Sequence, residues 1–233
     1  WDGRGVVVAI LDTGVDPSVP GLKTTSTGEI KVIETRDFSK EGWVSLSRAR
    51  TEDAGETHGL RTDDGFVGGH RSLKTAPEDG VFWMGFFDEA RLKNTAVPDV
   101  NRDGDSEDTF AVVAYWPQGG GDAVTVIDTD GDGDLSDEDI RGSYRHDLRW
   151  FSFTHPDPRE DQTPIAITPT VVLDERGDEH VELHFDDGGH GTHCAGISTG
   201  HGIQGRDGFD GIAPGAWVMS LKIGHNALAG GAT

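Results

Sequence analysis

The sequence predicts an α/β chain built on a parallel sheet and carrying a large β-rich insertion. Three observations lead there. Val6-Val7-Val8-Ala9-Ile10-Leu11 is a mostly branched apolar run closed by Asp12-Thr13-Gly14, the pattern of a strand buried on both faces, as strands of a parallel sheet are. Gly188-Gly189-His190-Gly191-Thr192-His193-Cys194-Ala195-Gly196 is a glycine-rich turn running into a helix of small residues. Asp12 and His190 stand 178 positions apart, and much of what lies between reads as short strands.

A strand ending on Asp12 places that carboxylate at the carboxyl edge of the sheet, where ligands and catalytic groups gather in open α/β folds. Partly shielded from water and beside the Thr13 hydroxyl, it can accept a hydrogen bond from an imidazole, fix its tautomer and stabilise the imidazolium. Asp-Thr-Gly is equally good turn chemistry, so Asp12 alone does not decide between catalysis and capping. His190 tips the balance. Gly188 and Gly189 permit unusual backbone angles and close approach, and the small residues from Gly191 to Ile197 suit a helix packed tightly beneath a site.

Ile10-Leu11-Asp12-Thr13-Gly14-Val15-Asp16, the stretch from Gly188 to Gly196, and Gly211-Ile-Ala-Pro-Gly-Ala-Trp-Val-Met-Ser-Leu-Lys-Ile-Gly224 resemble, in that order, the aspartate, histidine and following-strand motifs of the subtilisin-like serine peptidases. The resemblance implies a subtilisin-like parallel sheet with flanking helices, a polypeptide substrate, Asp12 as orienting acid and His190 as general base. His193 is the motif's second histidine and not the base. The family attacks with a serine in a Gly-Thr-Ser-Met-Ala-like motif, and no such string occurs from Trp1 to Thr233. Ser198 and Ser220 fall in the presumed helix after His190 and in the next strand, so neither is the nucleophile. The chain is therefore expected to be the amino-terminal part of a catalytic domain, to need the remainder of that domain, and to be inactive alone. The long insertion also resembles the tripeptidyl-peptidase II-like branch, well over the catalytic segments and loosely over the insert. By resemblance such an enzyme is secreted or at the cell surface, although the family also has intracellular branches.

Two rival readings stay open at the level of sequence. One is a calcium-binding β-module or inactive subtilase-like protein whose motifs are relics. The other is a metallohydrolase using His184, His190 and His193 with Asp186 or Asp187, although no His-Glu-x-x-His is present and the glycine frame suits a triad better.

Twenty Lys and Arg against 42 Asp and Glu give a formal net charge of −22, which excludes nucleic acid as a natural partner and favours bound cations. No apolar stretch approaches the length of a membrane span. The single cysteine, Cys194, has no disulfide partner and is expected to be a packed thiol near the site.

Residues 1–22 and 184–233 are assigned to the catalytic domain and 23–183 to the insertion. Strands are expected at Glu29–Phe38, Gly80–Phe87, Thr109–Trp116, Ala123–Asp128, Tyr144–Phe153, Ile165–Leu173 and His180–Phe185, the last half-buried by its alternation. Lys40–Thr75 reads as a long polar loop with a short helix near Leu46–Thr51. Asp128, Asp130, Asp132, Gly133, Asp134, Leu135 and Asp139 match a calcium-loop template, with Asp in place of Glu at the twelfth position. Asp99, Asn101, Asp103, Gly104 and Asp105 begin a second copy that then departs from it, leaving Glu107 or Asp108 to complete the ligand set. An all-oxygen set suits calcium rather than zinc.

Overall fold

A computed structural model describes residues 1–54, 57–93, 95–160, 163–174 and 177–225. The strands are β1 (Val7–Asp12), β2 (Val32–Asp37), β3 (Trp43–Ser45), β4 (Ser47–Arg48), β5 (Arg50–Ala54), β6 (Thr57–Arg61), β7 (Phe66–Gly68), β8 (Trp83–Asp88), β9 (Thr109–Tyr115), β10 (Val124–Ile127), β11 (Arg141–Gly142), β12 (Thr168–Val172), β13 (His180–His184) and β14 (Trp217–Lys222). Among the described residues two α-helices accompany them, α1 (Tyr144–Asp147) and α2 (His190–Thr199).

The catalytic segments converge in a parallel sheet of order β1-β14-β2. Asp12 and Lys222 are register partners across β1 and β14, and Lys222 partners Asp37 of β2. The three strands thus end together on charged residues at one edge. Val32–Asp37 lies within the span the sequence assigns to the insertion, yet β2 completes this sheet. Beneath it, Val15, Leu22, Val32, Tyr144, Ala195 and Val218 form a small core. α2 turns Gly191, Ala195 and Thr199 inward, the spacing that puts one helical face on a neighbour. Within these 233 residues β1 is buried on one face only: Val7, Ala9 and Leu11 are exposed, while Ile10 turns toward the side where α2 packs.

The insertion contributes an antiparallel sheet of order β11-β10-β9-β8-β4, a second of order β12-β13-β3 and a third of order β5-β6-β7. β9 shows why they stack. Phe110, Val112 and Ala114 enter one core, shared with Val181 and Leu183, while Ala111, Val113 and Tyr115 enter another, shared with Leu60 and Val67. Alternation of side chains across a strand is what lets one strand feed two cores, and each fully buried Val or Phe contributes about 1.5–3 kcal/mol.

Lys40–Thr75 is not a loop, and the helix near Leu46–Thr51 is absent; the region holds β3 to β7, strands of two to five residues that are too short to display the apolar alternation of a half-buried one. Tyr144–Phe153 is not a strand. Tyr144 is buried, its hydroxyl donates to the Val32 carbonyl at 2.9 Å, and Leu148 in the left-handed region (φ 54°) closes α1. β13 is buried along its whole length rather than on one face. Its polar residues face partners instead of water: Glu182 takes two hydrogen bonds from Arg36 at 2.8 and 2.9 Å, and His184 Nε2 lies 2.8 Å from Ser220 Oγ.

Candidate active site

β1 delivers Asp12 to the sheet edge and the start of α2 delivers His190 beside it. His190 Nδ1 lies 2.7 Å from Asp12 Oδ1, and the Thr13 N–H donates to the same oxygen at 2.8 Å. The close approach depends on two glycines. A Cβ on Gly191 would lie 2.0 Å from the Gly14 carbonyl oxygen, and one on Gly14, whose φ is +120°, would lie 2.3 Å from the Phe185 carbonyl oxygen. Neither contact is compatible with a side chain.

Asp186, four residues before His190, locks the two segments together. Its Oδ1 accepts from the Thr13 hydroxyl at 2.9 Å and from the Gly189 N–H at 2.9 Å, and its Oδ2 accepts from the Thr192 N–H at 2.9 Å. Thr13 Oγ1 in turn accepts from the Gly191 N–H at 3.1 Å. The acidic pair ahead of the glycines was the only sequence signal for this clamp, and it reads equally well as a metal ligand set.

Burial raises the Asp12 carboxyl, but hydrogen bonds from His190 and the Thr13 N–H outweigh it and hold its pKa below the usual range. The bond to Asp12 raises the pKa of His190. With its side chain 70% exposed, His190 presents Nε2 to the open side of the edge once Nδ1 is engaged. The pair therefore has the parts of an oriented base: a fixed tautomer, a counter-charge and access.

Cys194 is half-buried rather than packed away, with Sγ 3.9 Å from His190 Nδ1. His193 is exposed and lines a cavity of about 280 Å³ with Val19, Leu22, Ile197 and Phe209, a lining that does not include His190. His184, bonded to Ser220, is buried, and that burial pulls its pKa down to about 3. The three histidines do not converge as a metallohydrolase requires: among the described residues, the possible metal-holding group at this edge is Asp12, His190 and Cys194.

The acidic loops are placed differently from their template. Carboxylate oxygens of Asp128, Asp130 and Asp132 lie within 4.8 Å of one another. Asp134 instead accepts from the Ser136 N–H at 2.7 Å, and Asp139 is an exposed ion-pair partner of Arg141 at 3.4 Å. Glu138 is turned toward Thr129. Asp128 is buried, its Oδ2 accepts from the Gly133 N–H, and its Oδ1 has no hydrogen-bond partner among the described residues. Burial, reinforced by Asp132, Asp130 and Glu138, raises its pKa to about 6. In the second loop Asp99 accepts from the N–H groups of Asp103 and Gly104, Asn101 donates to Asp108, and Asp103 accepts from the Asp105 N–H. The close group there is Asp105 and Asp108 with Glu89, a buried residue outside the motif whose pKa burial raises to about 7.

The model of the Subtilase family matches residues 3–105 and 119–233. This chain is a member of the subtilase family. The subtilase chain is 28% identical over 275 residues to pyrolysin of Pyrococcus furiosus, an alignment covering 96% of the chain and 18% of the relative. It is 28% identical to tripeptidyl-peptidase 2 of Caenorhabditis elegans, covering 98% of the chain and 20% of the relative. Among solved structures it resembles tripeptidyl peptidase 2, with a TM-score of 0.64 and 23% identity over 97% of the chain and 20% of that structure. The chain thus spans about a fifth of the length of these relatives, and its parallel sheet has the subtilisin-like fold. Among the described residues, no helix is long and apolar enough to cross a membrane.

Proposed function

We propose that this subtilase chain supplies the acid–base half of a serine-peptidase triad acting on polypeptides, as an endopeptidase or a tripeptidyl peptidase. The observation that carries the reading is the shared oxygen: Asp12 Oδ1 receives both His190 Nδ1 and the Thr13 N–H. With Nδ1–H held by Asp12, Nε2 is free to take the proton of a serine hydroxyl as that oxygen attacks the scissile carbonyl. It then returns the proton to the leaving amine. Asp12 stabilises the imidazolium throughout. The nucleophile comes from a segment outside these 233 residues, so the chain alone is inactive. The test is fluorophosphonate labelling of a protein that extends this reading frame through a Gly-Thr-Ser segment. Labelling that disappears in His190→Ala supports the reading. A frame without that serine, or labelling indifferent to His190, favours a calcium-binding β-module instead.

We further propose that the insertion binds calcium for structure. The donor set fits: Asp128, Asp130 and Asp132 offer only oxygens, and the orphaned Oδ1 of Asp128 needs a cation or a proton to offset its burial. The second loop would use Glu89, Asp105 and Asp108. Calorimetric titration of chelator-treated protein reads both loops, and no calcium uptake would remove both.

A further inference from the structure

Lys222 is a buried cation at the sheet edge that the acid–base mechanism does not use. Its side chain is wholly inaccessible to solvent, and its ammonium reaches three segments that meet there. It donates to the Thr13 carbonyl at 2.6 Å, pairs with Glu41 after β2 at 2.9 Å, and pairs with Asp187, three residues before His190, at 3.3 Å. The Phe185 ring lies 5.0 Å beneath it. His225 meets Glu41 at 3.2 Å, and Asp37 is the register partner on β2. Burial opposes the charge on Lys222, but Asp187 and Glu41 outweigh it and hold its pKa above the usual value. An ammonium with two carboxylates and a carbonyl around it stays protonated.

Thr13 is the residue through which this cation reaches the catalytic pair. Its hydroxyl is held by Asp186, its carbonyl by Lys222, and its N–H falls on Asp12 Oδ1, where His190 also donates. We propose that Lys222 is a positioning residue for the Asp12–His190 pair, anchoring Thr13 so that two donors converge on one carboxylate oxygen. A buried ion pair is weak grounds for stability, whereas fixing a backbone donor against a catalytic carboxylate is a use for which geometry matters more than net energy. The inference rests on the acid–base reading of Asp12 and His190.

The test is NMR of the 233-residue chain. Lys222→Met with Glu41→Gln removes one charge of each sign, so the net field on His190 changes little. Glu41→Gln alone keeps the contact with Thr13 and serves as the control. In the double variant the His190 titration is expected to fall toward the unperturbed value near 6.5, and by clearly more than in the control, whose lost negative charge lowers it slightly without releasing Thr13. A folded double variant with an unchanged His190 overturns the proposal. Should the double variant unfold, the unmodified chain decides. The Lys222 ammonium protons should exchange far more slowly than those of exposed Lys23 and show coupling to the Thr13 carbonyl carbon; fast exchange without coupling overturns it. Asp12→Asn separates the two claims. If that variant leaves His190 unmoved, the acid–base reading itself fails; if it lowers the titration and the Lys222 variant does not, only the positioning role falls.

Discussion

The catalytic edge and the acidic loop at Asp128 are both carboxylate sites, and they are finished to different degrees. At the edge, Asp12 Oδ1 and both oxygens of Asp186 have donors. In the loop, three carboxylates from neighbouring positions crowd together and Asp128 Oδ1, buried, has no donor among the described residues. The edge is assembled from residues distant in sequence, and its carboxylates face cations: His190 beside Asp12, Lys222 beside Glu41 and Asp187. The loop is assembled locally, and among the described residues its one ion pair, Asp139 with Arg141, leaves the Asp128, Asp130 and Asp132 cluster without a cation. A carboxylate already held by an imidazole suits a preorganised reaction site, and a buried carboxylate cluster without a cation suits a ligand that supplies positive charge.

The largest expected effect tests the finished site. In an extended, active protein, Asp12→Asn should lower turnover by about 10⁴-fold, since an amide stabilises the wrong tautomer and no imidazolium; peptide hydrolysis rates measure it. Near-normal rates would mean that the edge is a structural clamp. A second effect concerns stability. Buried His184 has a folded pKa of about 3 against 6.5 for the free side chain, so between these values the unfolded chain binds the extra proton. Stability contributed by neutral His184 is complete above about pH 6.5 and declines as pH falls toward 3, by up to about 1.4 kcal/mol per unit. Urea denaturation across that range should show a flatter slope in His184→Gln; an unchanged slope would assign the acid sensitivity to carboxylates alone.

Gly191→Ala comes next, because its Cβ would meet the Gly14 carbonyl oxygen at 2.0 Å. A loss of about 1–3 kcal/mol is expected from overpacking, with α2 displaced from β1. Thermal unfolding together with the His190 titration checks it, and a neutral outcome would show that the edge is looser than its geometry implies. The loop gives smaller effects. Calcium at about 100 times its Kd should stabilise the parent by about 2.7 kcal/mol, and Asp128→Asn should remove that loop's share. Asp139→Ala should change calcium uptake least, because Asp139 lies at the surface against Arg141; a large loss there would restore the full twelve-residue template.

What the sequence made legible follows from how local each signal is. Asp12 and His190 stand in short motifs whose turn, glycine and helix chemistry is contiguous, and the acidic loop is contiguous too. Strands with apolar alternation or apolar runs, such as β8, β9 and β10, were legible for the same reason. Strand β2 looked like part of the insertion because nothing local says which sheet a strand joins. β13 looked half-exposed because Glu182 and His184 are polar, and their partners Arg36 and Ser220 come from distant β2 and β14. Thr13, Asp186 and Lys222 escaped notice as a unit because their contacts cross the whole chain. Twelve-position spacing nominates Asp139, which the structure sets against Arg141, because a template counts residues and does not see a neighbour drawing one aside.

The most direct test of the central claim is a ¹⁵N NMR assignment of the His190 tautomer at a pH above its titration. The account predicts Nδ1–H, bonded to Asp12, with Nε2 unprotonated and ready to accept a proton. A neutral imidazole carrying its proton on Nε2 would contradict it, because that ring could not serve as the base.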